Sequence, residues 1–228
     1  MKDPISIPEA ASVLGLSAGR VHAMVTHGGL PAVKVGGRWL IERGDVERRR
    51  RQPPLKGRPF AAHNAWALLR LASGEDPEGI DPVSRSRLRR ALRLEGLEGL
   101  GQRLSRRADS RFFDAHPGEI PYLMADRRFV PSGVSAAAMH ELDLISGSEA
   151  DGYVRAGALR SFENDHALRP SAERSNVRLR VVPDSAWRLM PKGGRSAPLA
   201  AVAIDLAEDA DPRSAAAGHE LLKALRSP

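Results

Sequence analysis

Six basic side chains in the first quarter of the chain have the types and spacing to hold a polyanion. Lys34 and Arg38 flank a Gly-Gly pair, and Arg48, Arg49, Arg50 and Arg51 follow as an unbroken run. A guanidinium offers a planar fork of donors that fits a phosphate, and an ammonium acts as a point charge. As a set they suit contacts to a sugar-phosphate backbone, which supply affinity without reading sequence. A second cluster, Asp205, Glu208, Asp209 and Asp211, has the oxygen ligands a hard divalent cation takes, although helix capping and solvation explain it more simply. His116, His140, His166 and His219 are scattered without ligand spacing.

The catalytic signatures are missing. There is no P-loop, no G-x-G-x-x-G behind a strand, no H-E-x-x-H and no G-x-S-x-G. The stretch SGSEADG, residues 146–152, has the Gly-Ser pair and carboxylates of a nucleotidyltransferase but no strand before it. Cysteine is absent, which removes disulfides, thiolate nucleophiles and Cys-based metal sites. A protein that is not an enzyme, with no cofactor and no bound metal, is the expectation. The opening MKDPISIPEA lacks the apolar core of a signal peptide, and no apolar run has the length of a membrane span. A cytoplasmic protein without membrane partners is expected.

Charge is distributed unevenly. Lys and Arg total 35 against 28 Asp and Glu, and residues 1–59 hold 11 basic against 5 acidic side chains, leaving 24 against 23 thereafter. Such asymmetry fits a nucleic-acid-binding head on a nearly neutral body.

The elements that must position the basic set follow from punctuation. Ser6, then Pro8 and Glu9, makes a helix start, and Ala10, Ala11 and Leu14 share one face up to Gly15. Ser17 caps a second helix to about Thr26 with Val21, Met24 and Val25 inward, and glycines at 28 and 29 stop it. Val33 and Val35 alternate with Lys34 before a Gly36-Gly37 turn and a return strand from Arg38 to Ile41, a hairpin followed by a short helix from Arg43 to Arg50. Helix, turn, helix, hairpin, helix is the order of a winged helix-turn-helix.

From Ile5 to about Arg49 the chain resembles the DNA-binding domain of excisionases and MerR-like regulators. The opening SIPEAASVLGLS, the wing GGLPAVKVGGRWLI and the closing RGDVE carry the resemblance. It implies that the second helix enters the major groove and the wing touches the flanking backbone. Ala18, Gly19 and Ala23 stand where longer polar side chains would read bases, so base reading falls to Ser17, Arg20 and His22.

RQPPLKGRP, with three prolines and a glycine, cannot propagate a helix and predicts a connector over 52–59 between a domain at 1–51 and one at 60–228. Lys56 and Arg58 in it are candidate auxiliary contacts to DNA. Beyond it, an apolar helix is predicted from Phe60 to Gly74 with Ala61, Ala65, Leu68, Leu69 and Ala72 inward and Trp66 in the core. Ser84 caps a further helix on which Leu88, Leu92 and Leu94 face one way and Arg85, Arg89 and Arg93 another. Residues 84–107 hold eight arginines against two glutamates, which makes Arg85, Arg89 and Arg93 candidate auxiliary DNA contacts. An alanine-rich helix around Ser135 to Leu142, a strand at NVRLRVVPD paired with a strand at PLAAVAIDLA, and a terminal helix capped by Asp211 and Pro212 complete the body. The fold class is α+β, mainly helical, with a small winged helix-turn-helix and a larger mixed helix/sheet domain for regulation or partner binding.

The body resembles, more weakly, the carboxy-terminal half of AbiE-type antitoxins of type IV toxin-antitoxin pairs, on SGVSAAAMHELDLI, NVRLRVVPD and APLAAVAIDLAEDADPRSAAAGHELL. That resemblance implies a cognate toxin as partner. The expected function is a sequence-specific transcriptional regulator of double-stranded DNA, an autorepressor and antitoxin, binding as a homodimer or in pairs on repeats. An excisionase-like architectural factor in site-specific recombination is the alternative.

Overall fold

The computed structural model describes residues 3–26, 30–51, 58–144, 148–171, 175–191 and 196–225, with the backbone alone for 48–51. Lys56, most of the predicted connector, the glycine stop at 28–29 and part of SGSEADG lie outside the described residues. Backbone contacts divide the chain into two units, Met1–Lys56 and Gly57–Pro228.

The first unit runs β1 (Pro4–Ser6), α1 (Ile7–Leu14), α2 (Ala18–Thr26), β2 (Val33–Val35), β3 (Arg38–Glu42) and α3 (Arg43–Arg51). Ser6 closes a capping box. Its hydroxyl accepts from the Glu9 N–H at 3.4 Å, and its own N–H donates to Glu9 Oε2 at 2.7 Å. Those bonds from Ser6, backbone first, hold the Glu9 carboxyl below the ordinary value for its type. Strand β1 was not foreseen. It pairs antiparallel with β3, Ile5 opposite Ile41, and both side chains reach a core of Ala10, Val21, Val25, Leu30 and Val46.

The second unit is α+β with helix in the majority. Helix α4 (Ala62–Ala72) buries Ala65, Trp66, Ala67, Leu68 and Leu69, whereas Ala61, expected inside, is exposed at its N-cap. Helix α5 (Pro82–Leu100) is capped by Asp81, whose carboxylate accepts from the Ser84 N–H at 2.9 Å; Ser84 is three residues inside the turn it was expected to cap. The helix breaks at Gly96, and Leu94, expected to face inward, is 73% exposed. One helical period separates Leu88 from Leu92 but carries Leu94 half a turn away from Leu92.

A five-stranded sheet forms the middle layer. Its strands are β4 (Asp109–Asp114), β5 (Val130–Pro131), β6 (Ala150–Arg155), β7 (Arg169–Pro170) and β8 (Val177–Val182), in the order β5-β6-β8-β4-β7. β8 runs parallel to β6 and antiparallel to β4. Val177, Leu179 and Val181 pack on one face with Ile120 and Leu123 of α6 (Ile120–Ala125) and Leu159 and Phe162 of α7 (Leu159–Asp165). His166, just beyond α7, is buried with both ring nitrogens on carboxylates, Nδ1 2.8 Å from Glu119 and Nε2 3.1 Å from Asp126.

The other face of the sheet meets α4, α5, α8 (Asp184–Trp187), α9 (Leu199–Ala207) and α10 (Pro212–Ala224). Here the strand expected at 198–207 is corrected. PLAAVAIDLA is a helix, and β8 pairs with β4 and β6 instead. A run that is apolar on every side has neither period, and α9, buried from Ala200 to Leu206, needs none. The alanine-rich stretch Gly133–His140 is a 3-10 helix. Asp211 caps α10 as expected, accepting from the Ser214 N–H at 2.8 Å. Where α10 crosses α9, Gly218 lies so close to the backbone of Leu206 and Ala207 that a Cβ has no room.

Candidate nucleic-acid interface

The turn between α1 and α2 is built from local bonds. Gly15 adopts φ 65°, Leu16 N–H donates to Ala11 O at 3.0 Å, and Ser17 starts α2 by accepting the Arg20 N–H on both its hydroxyl and its carbonyl. Val21 and Val25 are buried, which turns Ala18, Gly19, Arg20 and His22 outward to solvent. Arg20 and His22 are thus presented on the exposed side of α2, while the exposed Ser17 is engaged as the cap of the helix. A helix held by a buried stripe with polar side chains on its free side is the geometry that fits a major groove.

The hairpin expected to serve as a wing is β2-β3, with Val35 opposite Arg38 and Lys34 opposite Trp39. Gly36 and Gly37 have φ of 55° and 80°, the left-handed pair that a two-residue turn with the strands' own twist requires. Lys34 Nζ stands 5.7 Å from the centre of the Trp39 ring, so the indole holds the ammonium against the strand while both Lys34 and Arg38 remain exposed. Val33 and Val35 are also exposed, at 54% and 52%. Their alternation with Lys34 signals a strand, yet β2 is an edge strand with neither face covered within the described residues. At the unit's other edge the Arg43 guanidinium bonds Asp3 at 2.6 Å. Helix α3 carries Arg48, Arg49, Arg50 and Arg51 at its end, of which only the backbone is described.

In the body the predicted contacts separate. Arg58, Arg89 and Arg93 are exposed, whereas Arg85 is half-buried, pairing with Asp76 at 2.8 Å and donating to the Pro77 carbonyl. The acidic cluster is dispersed too. Asp211 is a cap, Asp209 accepts the Asp211 N–H, and Asp205 lies wholly buried. Asp205 accepts from Arg107 at 2.7 Å and from Ser132, and Arg180 Nε lies 3.0 Å from it; Arg180 is also ion-paired with Asp151, and Arg107 with Glu208 at 2.6 Å. Burial alone would raise the Asp205 carboxyl, but Arg180, Arg107 and the Ser132 hydroxyl outweigh it and hold it below the ordinary value. The Tyr153 hydroxyl accepts from Arg107 at 3.3 Å, and burial followed by the charge of Asp205 pushes it far above the ordinary tyrosine range. Sequence reasoning missed this network, because Arg180 reads as the polar half of an alternating strand although it is 1% exposed.

Among the described residues no group of three His, Asp or Glu side chains has the geometry of a metal site, and no helix is long and apolar enough to cross a membrane. Comparison with curated proteins and with solved structures returns no match, so the AbiE-type resemblance of the body gains no support there. Residues 5–52 match a family model described as a helix-turn-helix domain, a span that takes in α1, α2, the hairpin and α3. The amino-terminal unit therefore matches a helix-turn-helix domain, with Arg20 and His22 of α2 and Lys34 and Arg38 of the hairpin exposed.

Proposed function

We propose that the chain is a sequence-specific transcriptional regulator that represses its own operon, acting by binding rather than by catalysis. The observation that carries the reading is the pairing, within one helix-turn-helix unit, of an outward α2 face bearing Arg20 and His22 with an exposed cationic wing bearing Lys34 and Arg38. Arg20 reads base edges, and the wing together with the arginines of α3 holds phosphates. A single small unit makes few base contacts, so binding in pairs on repeated half-sites is part of the proposal.

The test is a titration of duplexes taken from upstream of the reading frame against random duplexes. Arg20→Ala is expected to cost about 1–3 kcal/mol on the cognate site and to erase the preference. Arg38→Ala is expected to weaken both duplexes alike and to reduce the salt slope by about 1. Equal losses on both duplexes for both variants would refute this division of labour. The antitoxin role rests on the resemblance of the body alone; co-expression with the neighbouring reading frame should yield a complex that survives without DNA. A recombination factor would instead bend attachment-site DNA and coat it cooperatively, and a body running from residue 57 to 228 is far more than that task needs.

A further inference from the structure

Helix α5 carries five arginines against two glutamates. Its buried side is set by Leu88 and Leu92, and at 100° per residue that phase directs Arg87, Arg89, Arg90 and Arg93 into solvent, where all four are exposed. Of the carboxylates near it in sequence, Glu75 is engaged with Arg70 at 3.0 Å, Asp76 with Arg85 at 2.8 Å, Asp81 as the cap of α5 and Glu95 with Arg103 at 3.0 Å. Among the described residues none of these four guanidinium groups has a side-chain hydrogen bond or ion pair. Arg87 and Arg90 are three residues apart, and so are Arg90 and Arg93, while Arg89 and Arg93 are four apart; like charges at these spacings destabilise a helix. A helix that keeps such a row uncompensated is suited to an anionic ligand.

We infer that the exposed face of α5 is a second nucleic-acid-binding surface, one that holds the phosphate backbone of a duplex without reading its sequence. Six residue steps from Arg87 to Arg93 cover roughly 9 Å of helix axis. A duplex presents a phosphate charge about every 1.7 Å of its own axis, so roughly five fall within that span. Guanidinium forks match phosphate oxygens in geometry as well as sign. The choice of duplex rather than an acidic protein rests on the reading of the amino-terminal unit as DNA-binding; the charge row itself does not depend on that unit. This surface differs from the one expected from sequence. Arg85 leaves it, engaged by Asp76, and Arg87 and Arg90 enter.

The experiment uses the full chain and a labelled random duplex, with affinity measured by anisotropy over a range of salt. Three variants are compared with the parent: Arg87→Gln, Arg89→Gln, Arg90→Gln and Arg93→Gln together; Lys34→Ala with Arg38→Ala; and, as a charge-matched control, Arg106→Gln, Arg127→Gln, Arg160→Gln and Arg169→Gln together, four exposed arginines elsewhere on the body. Glutamine keeps helix propensity close to that of arginine, and circular dichroism checks that α5 persists. The first variant is expected to lower the salt slope by about 3.6, since each of four phosphate contacts contributes about 0.9. The control should lower it by less than one. An unchanged slope in the first variant, or an equal fall in the control, overturns the inference and leaves the amino-terminal reading standing if the wing variant still loses affinity. A loss confined to the α5 variant supports the inference and refutes the wing. Tighter binding of polyglutamate than of duplex, abolished by the α5 variant, overturns the choice of nucleic acid. No salt-sensitive binding by the parent overturns both.

Discussion

The two units place their arginines in opposite ways. In the amino-terminal unit the described cations Arg20, Lys34 and Arg38 stand in solvent, and the core of Ala10, Val21, Val25 and Ile41 contains no charge. In the body, Arg107 and Arg180 lie inside the main core at 4% and 1% exposure, bound to Asp205 and Asp151, while a second set on α5 stays outside. A near-balanced sum over the body therefore conceals two unrelated populations. The buried pairs join β6, β8 and α9, because a charge removed from water must find its counter-charge within hydrogen-bonding distance. The exposed set has no such requirement and remains free for a ligand. Formal net charge does not separate the two cases; the depth of each guanidinium does.

That contrast can be broken from the inside outward. Asp205→Ala leaves Arg107 and Arg180 facing each other in the core and is expected to destabilise the body by about 3–5 kcal/mol. Denaturation followed by fluorescence should show early loss of the Trp66 and Trp187 signals from the body. Next comes Gly218→Val, which forces α10 away from α9 and is expected to cost about 1–3 kcal/mol in the same transition. A smaller effect is expected in the other unit. Ser6→Ala removes the capping box of α1 for about 1 kcal/mol, read from Trp39, with the body transition unmoved.

The smallest effect concerns pH. Asp126 accepts from the Arg128 side chain and backbone, bonds above all that, against the opposing effect of partial burial, hold its carboxyl well below its ordinary value. The folded state thus binds its proton less readily than the unfolded chain. The stabilisation is fully present above the unfolded value of about 4 and is lost as pH falls through the folded one. Asp126→Asn should flatten the stability curve below about pH 4 and leave the wild-type and variant curves parallel above it. An unchanged acid limb would show that Asp126 does not contribute to it.

The amino-terminal unit was legible because its instructions are local. Ser6 with Glu9, Ser17 before Ala18, and Gly36 with Gly37 each specify a cap or turn within four residues, and the helices and hairpin follow at the expected places. Strand β1 escaped notice because three residues have no period to read, and the pairing of Ile5 with Ile41 spans the whole unit. The hairpin valines show what a strand pattern leaves open. Alternation announces a strand but not a covered face, and β2 has none within the described residues.

In the body, legibility fell with sequence separation. The cap at Asp211 and the strand at Val177–Val182 were readable, the first from adjacent residues and the second from its alternation. The partner of that strand was not, since β6 and β4 lie on either side of it through connections of different length. Residues 198–207 satisfied a buried strand and a buried helix equally, and the choice came from the space between the sheet and α10.

By itself, the amino-acid sequence determined the helix-turn-helix, its glycine turn and the positive bias of the first unit, because caps, turns and net charge are properties of neighbouring residues. Only the tertiary structure decided which arginines are internal counter-ions and which are free to meet a phosphate. That distinction depends on desolvation, and desolvation is set by residues such as Asp151 and Asp205 that the chain brings to Arg180 from 29 and 25 positions away.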